Sequence, residues 1–154
     1  MIIGDSSALI SLSILDKLDL LEKLYDKLYV PQAVYAEVTE LHKFQSVKLK
    51  SFLKDKVKVV DLKITKLGLG IGELEAITLY KELDADVLLI DDNRAKKYAT
   101  LNDIKVIGSL GVLVKAKEKG HIESIKPLLK KLQATDIFIS DKLVNTILGI
   151  CGEN

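Results

Sequence analysis

The sequence predicts an α/β fold in which a parallel sheet lies between two layers of helices. Five short apolar runs have the length of buried strands: 1–5, 28–30, 57–60, 87–91 and 105–107. These runs are continuously apolar instead of alternating with polar residues, which is typical of strands covered on both faces. Helical stretches separate the runs, as the crossovers between parallel strands require. We therefore expect a three-layer α/β/α sandwich around a central five-stranded parallel sheet.

The segments between the strands carry the spacing and the end signals of helices. Between residues 8 and 24, apolar residues recur at helical spacing, and Asp16 marks an interruption between two helices. Pro31 suits the first position of the next helix, over 32–41, because its fixed φ is already helical. Gly120 is a favourable residue just after a helix end. Further helices are predicted over 43–54, 73–83, 93–101, 110–119, 123–132 and 141–150.

Length and composition predict one compact domain over residues 1–154, with the two C-terminal helices at 123–150 included. The 154 residues are 48% hydrophobic and 29% charged, as in ordinary globular proteins, and no linker or repeat divides them. No apolar run approaches the length of a membrane span, and no signal peptide is visible. The single cysteine, Cys151, suits a reducing compartment. We expect a cytoplasmic protein with no membrane partner.

Net charge does not decide whether the protein binds nucleic acid. Twenty-three basic residues against 22 acidic ones leave a formal charge of +1. A nucleic-acid partner is therefore neither required nor excluded by bulk electrostatics.

Acidic residues stand where strands end, the usual place for functional groups in an open parallel sheet. Asp5 ends the first strand, and Asp91 and Asp92 end the fourth. Each of them has a simpler alternative role, because aspartate before a helix is a favoured N-cap.

Two glutamates lie on predicted apolar helix faces. Glu37 follows Ala33 and Val34 by four and three residues, and Glu73 continues the stripe of Ala76 and Ile77 one turn earlier. A carboxylate on a buried face costs several kcal/mol unless a partner compensates. For Glu73 the alternative is a first-turn acid stabilised by the helix dipole.

Together these residues predict a divalent metal site. If Asp5, Glu37, Glu73 and Asp92 meet at one sheet edge, each pair about 5 Å apart repels by roughly 3 kcal/mol at an effective dielectric constant near 20. Such a cluster must take up protons or bind a cation, and oxygen ligands favour Mg²⁺ or Mn²⁺. Ions of this kind activate water for attack on a phosphodiester.

Four segments resemble the PIN-domain ribonucleases, most closely a small prokaryotic branch related to the VapC-type toxins. The matching segments are DSSALI at 5–10, VPQAVYAEV at 30–38, GIGELEAI at 70–77 and LLIDDNRAK at 88–96. The run VIGSLGVL at 106–113 fits as well, so the resemblance covers nearly the whole chain. It implies a five-stranded parallel sheet whose first and fourth strands are adjacent at the centre.

The resemblance also implies site residues. The acidic quartet of metal ligands corresponds to Asp5, Glu37, Glu73 and either Asp91 or Asp92. Asp92 is preferred because the family's acid lies just beyond the strand.

Other positions are implied as supporting the site. Ser7 matches a hydroxyl that supports the ligands, whereas Ile90 departs from the threonine or serine of many members. Arg94 and Lys96 are candidates to bind a phosphate.

The resulting hypothesis is a Mg²⁺- or Mn²⁺-dependent endoribonuclease with an RNA substrate. A further hypothesis is that it is the toxin of a toxin–antitoxin pair, with an antitoxin protein as its partner. The terminal helices either cover the sheet or form a dimer surface. A homodimer is expected. The alternative is a PIN-fold module that binds nucleic acid or protein with weak or no catalysis. A phosphoacceptor receiver domain does not fit, because its acidic pair would have to follow the first strand.

Overall fold

The computed structural model describes residues 1–40, 45–62 and 68–154, and within them five strands form one parallel sheet. The strands are β1 (Ile2–Gly4), β2 (Leu28–Pro31), β3 (Val57–Lys58), β4 (Val87–Leu89) and β5 (Val106–Ile107). Their order across the sheet is β3-β2-β1-β4-β5, with every neighbouring pair parallel. The predicted sheet is confirmed, and β1 lies at its centre beside β4.

Nine helices lie in the described residues. They are α1 (Ser6–Ile14), α2 (Asp19–Leu24), α3 (Gln32–Val38), α4 (Ser46–Leu53), α5 (Ile71–Glu82), α6 (Asn93–Leu101), α7 (Ser109–Glu118), α8 (Lys126–Gln133) and α9 (Asp141–Ile150). None of them, across the three described stretches, combines the length and apolar character needed to cross a bilayer.

Each face of the sheet has its own apolar core, as the predicted three-layer sandwich requires. Successive strand residues point to opposite faces, so Ile2 and Leu89 join one core while Ile3 and Leu88 join the other. Helices α5 and α6 cover the second core with small residues such as Ala76 and Ala95, whereas helices α1–α4 and α7–α9 contribute to the first.

Several predicted boundaries shift in the structure. Pro31 is the last residue of β2 and the N-cap of α3, with ψ of 160°, and is not the first helical residue. Asp16 separates α1 from α2 as predicted, in the left-handed region at φ 57°. Residues 41 and 43–44, which the predictions assign to two helices, lie outside the described residues.

The C-terminal segment is fastened to α8 by Glu153. Its carboxylate accepts hydrogen bonds from the Lys117 Nζ at 2.6 Å, the Ser124 hydroxyl at 2.6 Å and the backbone N–H groups of Ile125 and Lys126. These bonds to its charged form, first that of Lys117, lower the pKa of Glu153 to about 2. Helix α8 begins at Lys126 and not at the predicted residue 123. At this observed start, the Glu153 carboxylate accepts from N–H groups that have no partner within the helix.

Candidate active site

Asp5 is the buried centre of the candidate site. It follows β1, and its backbone N–H donates to the carbonyl of Leu89 at 2.9 Å, which ties it to β4. The residue is only 4% exposed, and its side chain makes no N-cap hydrogen bond to α1. Burial, together with the charges of neighbouring carboxylates, raises its pKa to about 7. Helix capping therefore does not explain this aspartate.

Three of the acidic residues predicted for the site change the pKa of Asp5. In decreasing order of effect, Glu73, Glu37 and Asp92 each raise the pKa of Asp5. The residues come from α5, α3 and the β4–α6 connection, which all end or begin at the carboxyl edge of the sheet. The fold thus brings together four acids that are distant in sequence.

Glu37 reaches the cluster from the solvent side. The expectation that it lies on a buried face is wrong, because the residue is exposed. Val34 and Val38 form the buried stripe of α3, and Glu37 stands at the border of that stripe. Its Oε2 atom accepts a hydrogen bond from the Ser6 hydroxyl at 2.8 Å, which holds the carboxylate at the rim of the site.

Gly72, which the sequence places just before the helix predicted over 73–83, lies within α5 and allows this approach. A Cβ on Gly72 would stand 3.3 Å from Glu37 Oε2 and 3.9 Å from Asp5 Oδ1. A side chain here would therefore press on one carboxylate and enter the space beside the other. One sequence feature could have indicated this role: a glycine stands in the first turn of the helix, although most other residues have a higher helix propensity.

Glu73 has two roles, one for each oxygen. Its Oε1 accepts from the backbone N–H of Gly70 at 3.1 Å, so the predicted first-turn role is present. Its Oε2 is buried and has no hydrogen-bond partner among the described residues. Burial, followed by the charges of Asp92 and Glu37, raises the pKa of Glu73. An unpartnered buried carboxylate oxygen is costly unless a cation or proton meets it.

Asp91 and Asp92 separate into different environments. Asp91 accepts from the backbone N–H and the hydroxyl of Ser109, both at 2.7 Å, and so binds the start of α7. Asp92 is exposed, accepts from the Ala95 N–H at 2.8 Å, and raises the pKa of both Asp5 and Glu73. The geometry thus favours Asp92 as the fourth acid of the cluster.

The other predicted site residues lie around the cluster. Ser7 is exposed, and the hydroxyl that contacts an acidic residue of the cluster belongs instead to Ser6. Arg94 is exposed, with a guanidinium nitrogen 3.6 Å from the position of a Cβ on Gly68, in the loop before α5. Lys96 is partly buried, and its Nζ lies 3.0 Å from the corresponding position on Gly108.

A second acid of α5, Glu75, supports the arrangement from inside the protein. It is 6% exposed, and its Oε1 accepts from the backbone N–H of Ala33 at 3.1 Å, in the first turn of α3. This bond joins the helix of Glu37 to the helix of Glu73. This contact was not predicted from the sequence.

The cluster has the chemistry of a site for a hard divalent cation. Four carboxylates supply only oxygen ligands, one of their oxygens is buried without a partner, and Asp5 resists ionisation in the absence of positive charge. In the described parts of the chain no three acidic, histidine or cysteine side chains already stand in ligand geometry. Mg²⁺ is commonly held by one or two carboxylates and several water molecules, so the site does not need three preformed ligands.

Comparison with known proteins agrees with this architecture. A family model described as DUF3368, PIN domain, matches residues 1–153. No match is found among curated proteins. The five-stranded parallel sheet, the central position of β1 and the acidic cluster at its carboxyl edge accompany a match over nearly the full length. The chain belongs to the PIN-domain family, whose fold is of nuclease type.

Proposed function

We propose that the protein is a Mg²⁺- or Mn²⁺-dependent endoribonuclease that hydrolyses phosphodiester bonds of RNA. The observation that carries the proposal is the position of Asp5, a buried carboxylate under the charges of Glu37, Glu73 and Asp92. Membership of a family with a nuclease-type fold supports it.

In this proposal each acid has a distinct part. A divalent ion, when bound, supplies positive charge that stabilises the developing oxyanion and makes water a better nucleophile. Asp5 and the Oε2 of Glu73 would hold the ion from inside, and Asp92 would hold it from the start of α6. Glu37, fixed by Ser6 at the exposed rim, would orient the attacking water.

The test is cleavage of a single-stranded RNA oligonucleotide by the full chain with Mg²⁺, with Mn²⁺ or with EDTA. We expect cleavage only with a divalent ion and a loss of at least about 100-fold in rate for Asp5→Asn, as when a charged group at the reacting centre is removed. Asp84→Asn is the matched control, because Asp84 precedes β4 at the opposite edge and has φ of 51°, which asparagine tolerates. Equal activity of Asp5→Asn and the parent would contradict the proposal.

The alternative function is an RNA- or protein-binding module with weak or no turnover. Two features favour it: Ile90 is buried and supplies no hydroxyl where many family members carry threonine or serine, and the described residues hold no preformed group of three ligands. Equal RNA affinity with and without EDTA, together with no cleavage under any metal, would establish this alternative.

A role as the toxin of a toxin–antitoxin pair rests on the resemblance to VapC-type toxins. We expect induced expression of the parent, but not of Asp5→Asn, to arrest cell growth. The same proposal includes an antitoxin partner, a homodimer and a cytoplasmic location. Rescue of growth by the product of an adjacent gene would support the partner, and light scattering measures the oligomeric state.

A further inference from the structure

We infer that a groove beside the acidic cluster binds one unpaired base of the RNA, with Phe138 as its stacking surface. This inference rests on the proposed function, since it takes RNA as the substrate. It specifies that the substrate is single-stranded next to the reacting phosphate. It also assigns a role in substrate binding to the connection between α8 and α9, outside the segments that carry the metal ligands.

The groove lies between α7, the end of β5 and the α8–α9 connection. Its volume is about 560 Å³, within the range of small-molecule sites. One end is polar, with Asp91, Asn93, Lys96 and Ser109, and apolar side chains line most of the rest. A base has the same division, with apolar faces and a polar edge.

The groove lies beside the acidic cluster, although none of the four acids is among its lining residues. Asp91 and Asn93 both line it, and Asp92, between them in sequence, is part of the cluster. Two hydrogen bonds from Ser109 fix Asp91 and thereby the wall between the two sites. A nucleotide whose phosphate lies at Asp92 therefore has the groove mouth as the adjacent place for a base.

The polar end carries one positive charge, that of Lys96, and one carboxylate, that of Asp91, which Ser109 holds by two hydrogen bonds. Lys96 Nζ lies 3.0 Å from the position of a Cβ on Gly108, and no carboxylate oxygen of the described residues lies within 4.0 Å of it. A Cβ at Gly108 would also stand 2.8 Å from Asp91 Oδ1. The glycine thus keeps this end of the groove open.

Phe138 supplies the flat surface that a base requires. It is 90% exposed, the highest value among the large hydrophobic residues exposed in the described chain. The neighbouring wall residues Ile137 and Ile139 are partly buried and pack on the first core, which holds the connection in place. An aromatic ring on a supported connection stacks any base, whereas paired bases in a duplex do not present a free face.

The test measures binding of fluorescently labelled single-stranded RNA by anisotropy in EDTA, so that cleavage plays no part. We expect Phe138→Ala to bind about tenfold more weakly than the parent, the cost of one lost stacking contact. Leu101→Ala is the matched control, because Leu101 is 75% exposed at the far end of α6; its affinity should equal that of the parent.

A second measurement replaces single bases of the RNA by abasic sites, one position at a time. One position should weaken binding to the parent about tenfold but leave binding to Phe138→Ala unchanged, because the same contact is already lost. Phe138→Trp should restore the parent affinity. Since these measurements do not depend on cleavage, a Phe138-dependent base contact without metal-dependent hydrolysis would support the groove and overturn the nuclease.

Three outcomes overturn the inference. The first is equal RNA affinity of Phe138→Ala and the parent. The second is an abasic scan in which no position depends on Phe138. The third is a change of oligomeric state in Phe138→Ala with unchanged RNA affinity, which would make the groove an interface between protein chains.

Discussion

At the scale of single residues, Asp5 is expected to have opposite effects on stability and on activity. Burial and three carboxylates raise its pKa from 3.8 to about 7, so the folded protein favours the protonated form. The burial of Asp5 among carboxylates lowers the stability of the metal-free protein. The same burial would make the site bind a cation. Stability and catalysis therefore respond differently to the same substitution.

This pKa predicts how metal-free stability depends on pH. The stability contribution of Asp5 is present below pH 3.8 and is lost as pH rises toward about 7. The shift corresponds to at most about 4 kcal/mol. Urea unfolding in EDTA should show the parent becoming less stable than Asp5→Asn across this window. A pH-independent difference between the two proteins would contradict the prediction.

Gly72 provides a second prediction at the residue scale. Alanine suits a helix better than glycine, so Gly72→Ala should leave stability within about 1 kcal/mol of the parent. Its Cβ would displace Glu37 Oε2, now 3.3 Å from that position, and we expect cleavage to slow about tenfold. Gly149→Ala in α9 is the control, since its nearest neighbour there would be at an ordinary 3.7 Å. Equal loss of activity in both variants would contradict a specific effect at the site.

At the scale of elements, α8 depends on a residue that follows it by twenty positions. Glu153 binds Lys117 of α7 and the N–H groups that begin α8, and so links the chain terminus to two helices. The terminal helices contribute Leu129, Ile147 and other buried residues to the first core, so the link also holds that core together.

Acid should release this link. The pKa of Glu153 is lowered from 4.5 to about 2, so its stabilising contribution is present above pH 4.5 and is lost as pH falls toward 2. Glu153→Gln should lower Tm at pH 7, and its difference from the parent should vanish near pH 2. Glu123→Gln, an exposed residue before α8, should leave Tm unchanged. A difference between Glu153→Gln and the parent that persists at pH 2 would rule out this linkage.

At the scale of the whole molecule, the sheet acts as a frame that forces the acids together. The central strand β1 pairs with both β2 and β4, and four acids from four separate segments therefore lie at one edge. Each helix is held on its own core, so the repulsion among the carboxylates is opposed by the packing of the entire fold. A cation that binds there stabilises the folded chain as a whole.

Metal binding should therefore raise the melting temperature. A Mn²⁺ concentration 100 times Kd adds about 2.7 kcal/mol to the free energy of unfolding, or about 5 to 10 °C in Tm for a chain of this length. The parent and Asp84→Asn should show this rise, and Asp5→Asn should not. Equal rises in all three proteins would place the ion elsewhere.

The sequence by itself determined the order and type of the elements, because these depend on local apolar spacing. Helices α6 and α9 begin and end where the periodicity predicts, and Asp5 and Asp92 stand after strands as predicted. The resemblance of four segments also indicated the family that the match over residues 1–153 confirms. Local spacing carries this information since it reflects which side of an element is buried.

Only the tertiary structure decided how the acids are used. Spacing places Glu37 on a helix face but does not say that the rim of the sheet leaves that face exposed. It does not separate Asp91, which binds Ser109, from Asp92, which joins the cluster. Spacing also does not show that Gly72 leaves space beside the carboxylates of Glu37 and Asp5. These outcomes depend on contacts between elements distant in sequence. A periodic pattern is local and does not specify which other helices or strands an element contacts.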